Sequence, residues 1–234
     1  MKRQLILLTA MTAVLTAFAF STLSAQEEGF VSLFNGKDLT GWKGDQSIWS
    51  VENGAIVGKT TKIPYNHSLA YKEEFSDFIL RFDYRLPDPK AGNSGFYYRG
   101  WYLSDSKPYQ MGGYQADFDA AATYSGIVYG EALRGILAQR GTISHIGDNH
   151  KPVVMEQFAK NEDLKKLIKP GDWNSYEVIA QGYLFIHKIN GKVMSVLIDA
   201  DKKTRRDSGM IGIQVHVGPP MKVEVKNIRI KKLK

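Results

Sequence analysis

"YLFIHKINGKVMSVLID", residues 183–199, is two alternating runs joined at Asn190-Gly191. Both central residues of a two-residue hairpin turn need positive φ, and Asn-Gly is the pair that tolerates it best, so the stretch predicts two antiparallel strands. The same alternation recurs in "DFILRFDYRL" (77–86). There Phe78, Leu80, Phe82, Tyr84 and Leu86 share one face, and Asp77, Arg81, Asp83 and Arg85 mostly take the other. "VEVKNIRI" (223–230) alternates through Val223 and Val225, then through Ile228 and Ile230, a one-residue slip at Asn227 of the kind a bulge produces. Only "NEDLKKLIK" (161–169) predicts a helix, capped by Asn161 and closed by Pro170-Gly171, within a long connection from His150 to Asp172. Many short strands, little helix and no repeat predict one all-β domain, a sandwich rather than an up-and-down barrel.

The first residues are set apart from this domain. Lys2 and Arg3 precede an uncharged run from Leu5 to Phe20, and small and polar residues follow as far as Ser24-Ala25. That order predicts a secretory signal peptide over residues 1–25, a mature domain over 26–234, and a secreted or periplasmic bacterial location. The apolar run is shorter than the roughly 20 residues a spanning helix needs, so no stable membrane insertion of the mature chain is expected. The sequence has no Cys, so packing alone must hold the domain. Without the leader there are 29 basic against 24 acidic side chains, +5. The only clustered cations are in "IRIKKLK" at the end, too few for a nucleic-acid-binding face.

Several strands carry an unusual second face. In "IGIQVHVG" (211–218), Gln214 and His216 oppose Ile211, Ile213, Val215 and Val217. In "NSGFYYRGW" (93–101), Tyr97, Arg99 and Trp101 oppose Phe96 and Tyr98, and in "GYQADFD" (113–119), Gln115, Asp117 and Asp119 oppose Tyr114, Ala116 and Phe118. "YSGIVYGEALRG" (124–135) ends a strand at Tyr129-Gly130, with Glu131 and Arg134 close behind. These faces nearly lack Lys, the usual tenant of a solvated strand. Planar hydrogen-bonding groups suit a sugar hydroxyl, a carboxylate or an enolate. If the strands are neighbours, the faces form one polar concavity; taken singly, each residue is equally well a buried polar group satisfied by its neighbours.

Other polar and aromatic residues read as structural. His187, between Phe185 and Ile189, reads as a buried, satisfied imidazole, His67 as a surface residue of a polar loop, and Trp42, Trp49 and Trp173 as core anchors. "HIGDNH" (145–150) offers His145, Asp148 and His150, but no helix or CxxC framework fixes them, so it is a weak metal pattern. No nucleophile elbow, phosphate loop or dinucleotide fingerprint is present.

Seven motifs in series carry a family resemblance: "SLFNGKDLTGW" (32–42), "WSVENGAIVG" (49–58), "GNSGFYYRG" (92–100), "GYQADFD", "GDWNSYEVIAQG" (171–182), "KINGK" (188–192) and "GMIGIQVHVGPPMKVEVKNIRIKKL" (209–233). Together they resemble the 3-keto-disaccharide hydrolase domain family, long called a domain of unknown function. The resemblance implies a concanavalin-like jelly roll and a secreted bacterial protein acting on a glycoside whose C3 hydroxyl has been oxidised to a ketone. Some members are hydrolases, and others are lyases or hydratases. A C3 ketone acidifies the C2 proton, so one base, one group for the developing oxyanion and one acid for the leaving group suffice.

On matched positions the resemblance implies His216 as the proton-transfer residue, Arg99 as oxyanion clamp, and Asp117 as orienter of His216 or second acid/base. His145 stands in reserve as base or metal ligand. Tyr97, Gln115, Tyr129, Glu131, Arg134 and Gln214 would contact the sugar. The resemblance also allows a divalent cation, whose ligands the sequence does not name. Two other functions remain open. One is a non-catalytic carbohydrate-binding module. The other is an ordinary two-carboxylate glycosidase using Asp117 and Asp119, since i and i+2 on a strand place Cα atoms about 6.6 Å apart and a retaining pair needs carboxyls about 5–5.5 Å apart.

Overall fold

The computed structural model describes residues 28–233; the expected signal peptide lies outside the described residues. Two sheets face each other. From edge to edge, the larger runs β12 (Pro152–Gln157), β11 (Thr142–Ile146), β15 (Lys192–Asp199), β14 (Leu184–Ile189), β13 (Asn174–Gln181), β6 (Phe78–Arg85), β17 (Met221–Lys232), β4 (Ala55–Thr60) and β3 (Trp49–Glu52). The short β1 (Val31–Ser32) pairs with β17. The smaller runs β10 (Gly135–Ala138), β9 (Val128–Glu131), β8 (Met111–Asp119), β7 (Asn93–Tyr102), β16 (Gly209–Val215), β5 (His67–Phe75) and β2 (Trp42–Lys43). This is the expected all-β jelly-roll sandwich.

The local signals have local outcomes. Asn190 and Gly191 take φ of 50° and 78°, and β14 and β15 pair antiparallel across them. Asn227 takes φ 53° where the register of β17 on β6 shifts, which is the predicted bulge. The helix α1 (Asn161–Lys165) is shorter than predicted, and Asn161 is its first residue rather than its cap; Lys160 holds the cap position without a side-chain bond. The same connection also contains β12, exposed along its whole length.

The apolar faces meet between the sheets. Phe82 of β6 packs at 4.6 Å from Phe96 of β7, Tyr84 at 4.2 Å from Phe118 of β8, and Tyr114 at 4.5 Å from Phe185 of β14. Each such buried side chain contributes on the order of 1.5–3 kcal/mol. His187 is fully enclosed here, with Nε2 3.0 Å from the Tyr98 hydroxyl and Nδ1 3.0 Å from the Ile127 carbonyl. Burial holds it neutral, with its pKa lowered to about 3 against the opposing Ile127 bond.

His67 departs from expectation: it opens β5 opposite the core residue Val215, is 7% exposed and stacks on Tyr65. Trp42 and Trp49 are buried as expected, whereas Trp173 is half-buried beneath Arg85 and Lys226.

Candidate active site

Cross-strand partners share a face of a sheet. Tyr97 on β7 and Tyr129 on β9 both pair with Gln115 on β8, forming one row on the outer face of the smaller sheet. Asp117, opposite Gly95, begins the next row. Gln115, Tyr129 and Asp117 of these rows, with Glu131 and with Gln214 and His216 from the end of β16, line a cavity of about 290 Å³, whereas Tyr97, expected to contact the sugar, is fully buried and not part of the lining. That is near the lower end of small-molecule sites, which span about 300–1,000 Å³. Asn93, Tyr124, Ile127 and Ile136 complete the wall.

Gly95 makes this packing feasible. A Cβ at this position would sit 2.6 Å from Gln115 Nε2, so the missing side chain lets the Gln115 amide lie across β7. Nε2 then has no hydrogen-bond partner in the protein, and Asp117 Oδ1 and Gln214 Oε1 have none either. All three residues are at least nine-tenths buried. An unsatisfied buried polar atom costs about 1–3 kcal/mol, so three on one wall mark a surface built to meet polar atoms of a ligand or water.

The site's ionisable groups are biased by their setting. Burial, with the charges of Asp119 and Glu131 nearby, pushes the Asp117 carboxyl well above the usual carboxylate range and favours its protonated form. Burial also pushes Glu131 up, while His216 and a hydrogen bond from Tyr97 pull the other way. Tyr97 is held well above the ordinary phenol range by burial and by Glu131, so it remains a donor. It accepts from Gln214 Nε2 at 2.5 Å. His216 is half-buried, and its Nδ1 lies 2.5 Å from the Val217 carbonyl. A carbonyl oxygen only accepts, so Nδ1 carries the proton and the neutral ring keeps its lone pair on Nε2.

Three residues expected here lie elsewhere. Arg99 is 1% exposed and sits at φ 47°, where β7 slips register against both β8 and β16. The slip breaks the alternation and turns the guanidinium toward the end of the sandwich. There it donates to the Ser76, Gly182 and Arg206 carbonyls and to Asp77 Oδ1, at 2.7–2.9 Å. Arg134 is held by Asp199, Asp201 and Thr204 rather than by the cavity. His145 is on β11 of the other sheet, paired with Val153 and Ile198. Asp119 faces the turn after β8, where its two oxygens accept from the Thr123, Tyr124 and Ser125 amides, so it is not free to pair with Asp117. Asn93, Tyr124, Ile127 and Ile136 are the wall residues that alternation did not single out. Among the described residues no three His, Asp or Glu side chains are grouped so as to hold a metal ion. No helix among them is long and apolar enough to cross a membrane.

The structure is a two-sheet jelly roll with a polar cavity on one outer face, and the family its sequence matches is carbohydrate-active and glycosyl hydrolase-like. The chain belongs to the 3-keto-alpha-glucoside-1,2-lyase-like domain family, whose model matches residues 29–231. It is 29% identical over 86 residues to a 3-keto-disaccharide hydrolase of Bacteroides thetaiotaomicron, a match covering 32% of this chain and 29% of that protein. Among solved structures it is similar to a candidate glycosyl hydrolase of Parabacteroides distasonis, with TM-score 0.54 and 22% identity over 88% of this chain and 95% of that one. It is also similar to the carbohydrate-binding module CBM66 of Bacillus subtilis, with TM-score 0.51 and 15% identity over 81% and 94% of the two chains. At these identities the two structures speak to fold alone.

Proposed function

We propose that the protein is an exported enzyme cleaving 3-keto-glycosides by C2 deprotonation and elimination, followed by hydration. The observation that carries this is the meeting in one cavity of His216, with its free Nε2 lone pair, and Asp117, whose carboxyl is biased toward the protonated form. His216 takes the C2 proton, the C1–O bond breaks, and Asp117 gives its proton to the departing oxygen. Water then adds across C1 and C2: its hydroxyl goes to C1, Asp117 regains a proton from it, and His216 returns a proton to C2. Gln115 Nε2, an unpartnered donor, suits the enolate oxygen formed at C3, and Gln214 Oε1 suits a sugar hydroxyl. Tyr97 holds the Gln214 amide in place, and the Val217 carbonyl holds the imidazole.

An unoxidised glycoside has no acidic C2 proton, so this site should leave it intact. The test incubates the protein with a 3-keto-glucoside and with its parent. Ketone-dependent release of the aglycone, lowered about 10²–10⁴-fold in His216→Gln and in Asp117→Asn, is expected. Equal turnover of both substrates would point to an ordinary glycosidase. Binding without turnover of either would point to a carbohydrate-binding module, the alternative that the fold likeness to CBM66 keeps in play.

A further inference from the structure

The cavity has two unlike ends. Gln115, Asp117, Gln214 and His216 gather on β8 and at the end of β16, whereas Tyr124, Ile127 and Ile136 come from the turn after β8 and the β9–β10 hairpin, where Tyr129 lies directly opposite Ile136 and Glu131 closes β9. We propose that this second end is a leaving-group subsite for a flat apolar aglycone, an aryl or benzyl group, rather than for a second sugar. The proposal rests on the cleavage reading above and specifies its substrate.

The chemistry of the wall favours this occupant. Ile127 and Ile136 side chains present neither donor nor acceptor. A second pyranose placed there would lay most of its hydroxyls against the two isoleucines, with only the Tyr124 and Tyr129 phenols as polar partners, whereas an aromatic ring loses nothing polar. Tyr124 supplies the aromatic contact: it lines the cavity and remains 44% exposed. The backbone that carries it is fixed, because its amide donates to Asp119 Oδ1 at 2.8 Å and the neighbouring Ser125 amide donates to the same oxygen. Ile127 is anchored as well, through its carbonyl, which lies 3.0 Å from His187 Nδ1. The subsite is therefore preorganised, and Asp119 serves it by holding the turn.

The test compares the 3-keto derivatives of benzyl glucoside and of a glucose disaccharide with the same anomeric configuration. Benzyl alcohol is chosen over phenol so that leaving-group acidity does not decide the result. The benzyl compound should have a kcat/KM about tenfold higher, and Tyr124→Ala and Ile136→Ser should each reduce that ratio about tenfold. Calorimetry with the unoxidised benzyl glucoside and disaccharide gives a second readout independent of chemistry. A disaccharide preference unmoved by either variant overturns the subsite and leaves the cleavage reading intact. Tighter, Tyr124-dependent binding of benzyl glucoside with no turnover of either ketone upholds the subsite and overturns the cleavage reading. Absence of both binding and turnover overturns both.

Discussion

Gln214 Nε2 donates to the Tyr97 hydroxyl across 2.5 Å, and that bond decides which end of the amide faces the cavity. With Nε2 committed, Oε1 is the atom left without a partner. The same phenol lies close enough to Glu131 to favour its charged form, so one tyrosine acts on both an amide and a carboxylate.

Tyr97→Phe should therefore impair catalysis while keeping the fold. The ring is fully buried and packs with Ala70 and Met111, contacts that Phe retains, but Gln214 loses the hydroxyl that orients it and becomes free to flip. Loss of one such bond corresponds to about tenfold in kcat/KM with little change in Tm. A fall in stability without a fall in kcat/KM would assign Tyr97 a packing role only.

Gly95→Ala tests the placement of Gln115 with the smallest available change. The new methyl would meet only the Gln115 side chain among its nearest neighbours, so the amide must swing away while the strands stay paired. KM for the 3-keto-glucoside should rise and kcat fall, because Gln115 Nε2 no longer meets the enolate oxygen. Urea unfolding should show a change of about 1 kcal/mol or less. Pairing the substitution with Gln115→Ala should add no further loss, since both remove the same contact.

Arg99→Met separates structure from chemistry at the residue the resemblance implied as the oxyanion clamp. The guanidinium joins three backbone carbonyls and Asp77, from the turns before β6 and after β13 and the connection before β16. Removing it takes a buried donor from three carbonyls and leaves the partly buried Asp77 carboxylate with only the Gly182 amide, a loss of about 3–5 kcal/mol. Activity per folded molecule, measured at low temperature, should remain near wild type. A large fall in kcat with unchanged stability would restore Arg99 to the site.

Arg99 also shows where strand alternation stops being informative. Gln115, Asp117, Gln214 and His216 were legible because period two holds along β8 and β16 and their partners share a face. The hairpin at Asn190-Gly191 and the bulge at Asn227 were legible because the residues that cause them lie within the turns themselves. Arg99 depends on a positive-φ slip and on three distant carbonyls, none of which its own strand encodes. β12 was missed because Val153, Val154 and Met155 are all exposed, which erases the inside-outside pattern. Tyr124 sits on a turn and has no period to betray it. Gly95 within an aromatic strand was a usable signal of close approach, and it marks where the Gln115 amide crosses.

His187 makes the fold sensitive to acid. Its folded pKa is lowered to about 3 by burial, while an unfolded imidazole titrates near the ordinary value of about 6.5. Between these values the unfolded chain binds a proton that the folded chain refuses, so stability is full above about pH 6.5 and falls as pH drops toward 3. At pH 5 this one residue accounts for a loss of about 2 kcal/mol relative to neutral pH. His187→Asn cannot take up that proton. The variant should be weaker at pH 7, having lost bonds to Tyr98 and Tyr176, yet its stability should fall less steeply from pH 6.5 to 5. Urea unfolding of both proteins at several pH values measures the two slopes, and equal slopes would mean that the imidazole titrates normally in the folded state.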